Sequence, residues 1–161
     1  MDFVARADIE APISWVFQQV TDFAAFERQA MRRGADVRRL DSLARPGNGS
    51  TWDVQFRFRG KDRQMQAEVN GFDPPNKFDV IMVSQNLHAT MKVELVAQSR
   101  SRTRFTVSLV VGARSLPARL LLQSLRLAKA NLSRRFETRV AGFASDIQDR
   151  YARRPGSAPK A

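Results

Sequence analysis

The fold is indicated most clearly by residues 52–69, which read WDVQFRFRGKDRQMQAEV. Apolar and polar side chains alternate before the Arg59-Gly60 pair, and a period of two is typical of a half-buried strand. Arg59-Gly60 fits a two-residue hairpin turn, in which glycine supplies the positive φ. Residue 58 then faces residue 61, so the apolar set must change from even to odd numbers. It does change, from Trp52, Val54, Phe56 and Phe58 to Met65, Ala67 and Val69.

The same alternation continues through the next three predicted strands. Turns are expected at residues 73–76, 85–86 and 98–100 because proline, asparagine, serine and glutamine cluster there. At each turn the apolar positions change parity, as a consistent register requires. The apolar positions after the first of these turns are Phe78, Val80, Met82, Leu87, Ala89, Met91, Val93, Leu95, Phe105, Val107, Leu109 and Val111. Residues 52–111 therefore predict an antiparallel meander with one apolar face.

Two strands and two short helices are expected before the meander. Residues 2–10 alternate and predict a strand. Residues 35–43 predict another strand, with a bulge or twist where its apolar parity changes. Between them, Pro12 suits the first turn of a helix, and Thr21 or Asp22 suits the N-cap of a second one.

A long helix is predicted over residues 115–151, where Ser115 suits the N-cap and Pro117 the first turn. Apolar residues recur there at spacings of three and four, which places them on one stripe of a helix. At 1.5 Å per residue the helix would be about 55 Å long. The stripe consists of Leu121, Leu125, Ala128, Leu132, Phe136, Val140, Phe143, Ile147 and Tyr151. The sheet is expected to cover it.

The composition fits one globular domain with an excess of positive charge. The chain has 161 residues, a hydrophobic fraction of 43%, no cysteine and a formal net charge of +11. We expect a single domain over residues 1–152 and a disordered basic tail over 153–161. Without cysteine, disulfide and thiolate chemistry are excluded. No apolar run of about eighteen residues and no apolar signal region is present, so the expected location is cytoplasmic, free or peripheral to a membrane.

The order of the predicted elements resembles the helix-grip fold. Local matches are IEAPISWVF at residues 9–17, VTDF at 20–23 and FDPP at 72–75. Over residues 3–151 the chain resembles the START-like superfamily, also called SRPBCC, which holds polyketide cyclase- and dehydrase-like proteins, lipid-transfer domains and plant ligand-binding allergens. The resemblance implies an α+β fold, a seven-stranded curved antiparallel sheet wrapped around a long C-terminal helix, with two short helices after strand 1. It also implies a cavity for a hydrophobic molecule.

The residues themselves also favour a cavity, because a curved sheet around one helix encloses more space than one row of side chains fills. We expect it to bind a lipid, a quinone or a polyketide-like molecule, which the protein carries or presents. Methionines on the wall suit varied ligands. The alternative is a solid core. The predicted ligand-binding residues are Trp52, Val54, Phe56, Arg63, Met65, Phe78, Val80, Met82, Met91, Phe105, Val107, Leu121, Leu125 and Leu132.

Few polar side chains have inward parity. Arg63 faces Phe56 near the hairpin end, where it could hold a ligand carboxylate or phosphate, or could instead extend into solvent. Ser84 and Thr103 could each donate one hydrogen bond. His88, the only histidine, has outward parity, and no pair of inward carboxylates is present. No catalytic constellation, metal site or cofactor motif is therefore predicted, and a cyclase or dehydrase acting on a polyketide-like substrate is the alternative to a carrier.

The start of the long helix combines positive charge with apolar side chains outside the buried stripe. The residues concerned are Arg119, Leu122, Arg126, Leu127 and Lys129. This combination suits an anionic membrane surface or a partner protein. Alternatively, the two leucines pack beneath the short helices or in a homodimer. Nucleic acid is not an expected partner, because the aromatic residues mostly face inward and no reading motif is present.

Overall fold

A computed structural model describes residues 1–155. The predicted tail over 153–161 lies outside the described residues, apart from its first three. The helices and strands in chain order are β1 (Asp2–Ile9), α1 (Ile13–Val20), α2 (Phe23–Arg32), β2 (Asp36–Arg39), β3 (Thr51–Phe58), β4 (Lys61–Asp73), β5 (Lys77–Ser84), β6 (Leu87–Ser99), β7 (Arg102–Ala113), α3 (Leu116–Leu125) and α4 (Lys129–Ala152). The seven strands form one antiparallel sheet in the order β1-β7-β6-β5-β4-β3-β2. The predicted fold class is confirmed.

The register of the β3–β4 hairpin is the predicted one. Val54 pairs with Met65 and residue 58 with residue 61. The turn residues Arg59 and Gly60 have φ angles of 51° and 75°. Positive φ at both central positions is what a type I′ turn requires. The turn therefore places the apolar residues of both strands on the same face of the sheet.

Two strand boundaries differ from the prediction. Strand β2 ends at Arg39 instead of extending to residue 43, because the chain turns there around the Asp41 side chain, which accepts a hydrogen bond from the Leu43 N–H at 2.9 Å. Strand β6 continues to Ser99 through a register shift after Ala97. The β6–β7 loop consequently occupies residues 100–101 instead of 98–100.

The C-terminal helical region is interrupted, whereas the sequence predicts one continuous helix. Ser115 caps α3 as predicted, since its Oγ accepts a hydrogen bond from the Ala118 N–H at 3.2 Å. A single 3₁₀ turn over Arg126–Ala128 then separates α3 from α4. Such a turn has about 3.0 residues instead of about 3.6, so it rotates the apolar stripe of α4 relative to that of α3. The two helices have different neighbours: α3 packs against β7, and α4 packs against β1 and α1.

The hydrophobic core lies between the inner face of the sheet and helices α1, α2 and α4. Phe23 of α2 is central to it, with ring centroids 5.2 Å from Trp52 and 5.8 Å from Phe78. Such edge-to-face contacts favour one fixed arrangement of the rings. The largest fully buried apolar side chains are Ile9, Val16, Val69 and Ile147.

A side-chain hydrogen bond from Thr103 links the start of β7 to the turn that precedes α1. Its Oγ1 donates a hydrogen bond to the Ala11 carbonyl oxygen at 2.8 Å, and both residues are fully buried. The sequence suggested Thr103 as a possible hydrogen-bond donor to a ligand. Its hydroxyl instead satisfies a backbone acceptor that water does not reach.

We expect Thr103→Val to lower the free energy of unfolding by about 1–3 kcal/mol, because the buried Ala11 carbonyl loses its donor. Urea denaturation followed by circular dichroism measures this loss. Thr103→Ser retains the hydroxyl and should be less destabilising than Thr103→Val. A larger loss in the serine variant would mean that packing of the methyl group outweighs the hydrogen bond.

Candidate ligand cavity between the sheet and the terminal helix

A cavity of about 490 Å³ lies between the inner face of the sheet and helices α2 and α4. Its volume falls within the range of about 300–1,000 Å³ that is usual for small-molecule sites. The sheet contributes Val37, Trp52, Val54, Met65, Ala67, Phe78, Val80, Met91, Val93, Phe105 and Val107. The helices and their flanks contribute Val20, Phe23, Phe26, Glu27, Ala30, Phe136, Arg139, Val140 and Phe143. All but two of these side chains are apolar.

The structure brings eight of the fourteen predicted site residues together on the cavity wall. All eight lie on strands β3 to β7, at positions whose parity places them on the inner face. They are Trp52, Val54, Met65, Phe78, Val80, Met91, Phe105 and Val107.

Three predicted helix residues do not line the cavity. Leu121 and Leu125 belong to α3, which packs against β7 before the 3₁₀ turn, and Leu132 lies in the first turn of α4. The prediction assumed one uninterrupted apolar stripe along a single helix, but the 3₁₀ turn over Arg126–Ala128 interrupts that stripe. The part of the helix that faces the cavity comes later in the chain, at Phe136, Val140 and Phe143.

Phe56, Arg63 and Met82 do not line the cavity either. Phe56 pairs with Arg63, one inward position nearer the hairpin end than the Val54–Met65 pair, and the cavity ends between the two pairs. The Arg63 Nε donates to the Phe58 carbonyl at 3.2 Å, and its guanidinium lies 5.6 Å from the Phe58 ring centroid. Met82 is half-buried and packs against the core.

Two charged residues of the wall, Glu27 and Arg139, were not predicted. Arg139 follows Phe136 by three positions and precedes Phe143 by four, so it lies on the apolar stripe of α4. Glu27 follows Phe23 by four positions on the corresponding stripe of α2. A single charge within an apolar helical stripe is the sequence signal that would have identified both.

The two charges have different surroundings. The Glu27 carboxylate accepts a hydrogen bond from Trp52 Nε1 at 2.6 Å. The Arg39 guanidinium lies 5.8 Å from the Trp52 ring centroid. The hydrogen bond to Asp41 chiefly raises the pKa of Arg39, and the nearby charge of Glu27 raises it further. Among residues 1–155, by contrast, no hydrogen bond or ion pair engages the Arg139 side chain.

Comparison with known proteins identifies the fold through solved structures. No family model and no curated protein sequence matches the chain. The ZhuI aromatase/cyclase from Streptomyces sp. R1128 matches with a TM-score of 0.66 and 11% identity, over 98% of this chain and 99% of that one. The protein TTHA0849 from Thermus thermophilus matches with a TM-score of 0.63 and 16% identity, over 92% and 98%. A START superfamily protein from Mycobacterium smegmatis matches with a TM-score of 0.55 and 12% identity, over 85% and 97%.

The chain has the START-like helix-grip fold. Identities this low establish the fold alone, so the chemistry must be argued from the residues of this chain. His88 lies on the outer face as predicted, paired with Gly112 across β6 and β7, and a Cβ on that glycine would overlap the imidazole ring. Within residues 1–155, no group of His, Asp and Glu side chains could hold a metal ion. None of the helices in the same range is long and apolar enough to cross a membrane.

Asp41 organises the β2–β3 connection beside the cavity of this START-like fold. Its carboxylate accepts hydrogen bonds from Arg39 Nε at 3.0 and 3.1 Å, from the Thr51 N–H at 2.8 Å and from the Leu43 N–H at 2.9 Å. The Arg39 bond above all, together with the two backbone bonds, holds the pKa of Asp41 well below its usual range. The charged carboxylate thereby fixes the edge strand that carries Val37 of the wall.

We expect Asp41→Asn to lower the free energy of unfolding at neutral pH by about 1–3 kcal/mol, because hydrogen bonds to a charged acceptor are lost. The pKa of Asp41 is lower in the folded chain than the ordinary value of 3.8. The stabilisation is therefore present above that value and is lost as the pH falls below it toward the folded pKa. Urea denaturation at neutral pH and near pH 3 should show the two proteins converging in acid. Asp62→Asn, at a carboxylate that is 90% exposed, serves as the control and should change little. A penalty at Asp41 that is independent of pH would contradict the role of its charge.

Proposed function

We propose that this protein binds a hydrophobic or amphipathic small molecule, of the lipid, quinone or polyketide-like kind, and carries or presents it. The observation that supports the proposal most strongly is the cavity of about 490 Å³, whose wall is apolar except for Glu27 and Arg139. Burying apolar ligand surface against such a wall contributes about 25 cal/mol per Å². A cytoplasmic location remains part of this proposal.

The energetic cost of a void supports a ligand over incomplete packing. At about 24 cal/mol per Å³, a dry void of about 490 Å³ would cost about 12 kcal/mol. That is comparable with the whole stability of a typical domain, about 5–15 kcal/mol. A sequence selected only for stability would fill such a cavity with larger side chains, whereas a binding protein needs the cavity for its ligand.

An enzyme is the alternative function. The Streptomyces neighbour is described as an aromatase/cyclase, and Glu27 is a carboxylate on the wall of this cavity. General acid–base chemistry needs a group that is free to exchange a proton with the substrate. Glu27 already accepts the Trp52 N–H, and no second acid or base lines the cavity within residues 1–155. Binding without reaction therefore fits these side chains better than catalysis does.

We expect Val80→Trp to reduce binding of Nile red, a neutral apolar fluorescent probe, by at least about tenfold, because the indole would occupy cavity space. Fluorescence titration measures the change, and circular dichroism confirms that the variant is folded. Val83→Trp makes the same substitution on the same strand at an exposed position outside the cavity wall, where the side chain is 38% exposed, and should leave binding unchanged. Unchanged binding in Val80→Trp, or no binding by the wild type, would contradict the proposed cavity site.

A second proposal is that α3 and the following turn touch an anionic membrane. Three leucines there are largely exposed: Leu116 at 66%, Leu120 at 56% and Leu127 at 95%. Leu122, which the sequence suggested as an exposed residue, is half-buried and lines a pocket at the end of β7. The exposed leucines alternate with basic residues, the pattern of a helix that lies in a lipid interface. The basic residues are Arg114, Arg119, Arg126 and Lys129.

We expect the double variant Arg119→Glu, Arg126→Glu to lose most of its binding to vesicles that contain phosphatidylglycerol, because each basic residue near such a surface contributes about 1 kcal/mol. Co-sedimentation at low salt measures this. The matched control is Arg28→Glu with Arg32→Glu on α2, which changes the net charge equally and should bind more strongly than the α3 variant. Equal loss in the two variants would indicate that only total charge matters, and a wild type that ignores the vesicles would refute the proposal.

A further inference from the structure

We propose that the cavity recognises one anionic head group, a carboxylate or a phosphate, on an otherwise apolar ligand, and that Arg139 is the residue that binds it. This inference rests on the proposed function and makes it more specific. It concerns the class of ligand, because a neutral or cationic amphiphile with the same apolar tail would lack the partner that Arg139 requires.

The first support is the position of Arg139. It lies on the cavity wall between Phe136 and Phe143, which lie on the same stripe of α4. Phe143 is fixed by contacts with Phe105 and Phe26, at ring-centroid distances of 5.9 and 5.7 Å. The segment of α4 that presents the guanidinium therefore contacts the sheet through Phe105 and α2 through Phe26.

The second support is the balance of charge on the wall. Glu27 is the other charged residue there, and its carboxylate is occupied by the Trp52 N–H at 2.6 Å and lies in the field of Arg39. Arg139 has no such partner among the residues that the structure describes. The remaining wall is apolar. One positive charge is thus left to attract a ligand, whereas the negative charge is already compensated.

The third support is the chemistry of guanidinium. Arginine presents paired N–H donors that match a carboxylate or phosphate, and charge-assisted bonds of this kind are about twice as strong as neutral ones. The partly exposed position of Arg139 leaves the head group near water, while the tail lies along the apolar wall.

The test uses the full chain and four probes with the same twelve-carbon tail: dodecanoic acid, dodecyl phosphate, dodecanol and dodecyltrimethylammonium. Displacement of Nile red at neutral pH gives their relative affinities. We expect the wild type to bind the acid or the phosphate at least about tenfold more tightly than the alcohol, and the cation least tightly. The tighter of the two anions identifies the head group.

Three variants separate Arg139 from general charge effects. Arg139→Gln should abolish the preference for the anion, and it should lower the affinity for dodecanol much less than the affinity for the anion. Arg134→Gln removes the same charge from the same helix at an exposed residue outside the wall, and it should keep the preference. Glu27→Gln retains an acceptor for Trp52 and removes the negative charge, so it should strengthen binding of the anion.

The outcomes distinguish this inference from the proposed function. If dodecanol and dodecanoic acid bind equally well to the wild type, or if Arg139→Gln and Arg134→Gln lose the preference equally, the role of Arg139 is refuted while the cavity proposal stands. If none of the four probes displaces Nile red, both proposals fail. If only Arg139→Gln loses the preference, the inference is supported.

Discussion

The cavity depends on the register of the antiparallel meander, and most of all on the β3–β4 hairpin. The two-residue turn at Arg59-Gly60 sets Val54 opposite Met65, so that both line the cavity. A slip of one residue would move both of them to the outer face, because side chains alternate along a strand. Each later hairpin repeats this constraint, so the turns between β3 and β7 place the wall residues of these five strands on one face of the sheet.

The second constraint is the 3₁₀ turn over Arg126–Ala128, which divides the C-terminal helical region by role. Before it, α3 packs against β7 and exposes several leucines. After it, α4 carries Phe136, Val140 and Phe143 against the cavity. A continuous helix would have had to keep one face buried over its whole length. The change of helix type lets the first segment turn its apolar side chains outward while the second closes the cavity.

The sequence predicted the sheet well because a period of two does not accumulate error along a strand. Trp52, Phe78 and Phe105 were placed on the inner face by the parity of their residue numbers alone. This assignment stays correct from strand to strand as long as each turn and its length are recognised. The buried face of the C-terminal helical region was harder to predict, because a local change of helix type shifts the phase of the 3.6-residue period for all later residues. Nothing in the sequence Arg126-Leu127-Ala128 indicates a 3₁₀ turn. Parity also says nothing about how far along a strand a cavity extends. Phe56 and Met82 have inward parity but do not line the cavity, although Met82 pairs with the wall residue Ala67.

The polar residues of the wall show why a site of this kind is difficult to read from a sequence. Arg63 had the right chemistry and the right parity, yet at the hairpin end a backbone carbonyl and the Phe58 ring are nearer partners than any ligand. Arg139 was not predicted, although its spacing of three and four positions from Phe136 and Phe143 places it on the apolar stripe of α4. The two arginines differ in whether a protein group binds them. Arg63 donates a hydrogen bond within its own hairpin, whereas no hydrogen bond or ion pair engages Arg139 within residues 1–155. The third charged residue, Glu27, accepts a hydrogen bond from Trp52. An apolar wall with one cation that has no protein partner within residues 1–155 is complementary to a molecule with one anionic end, and this complementarity is the basis of the proposed preference for anionic ligands.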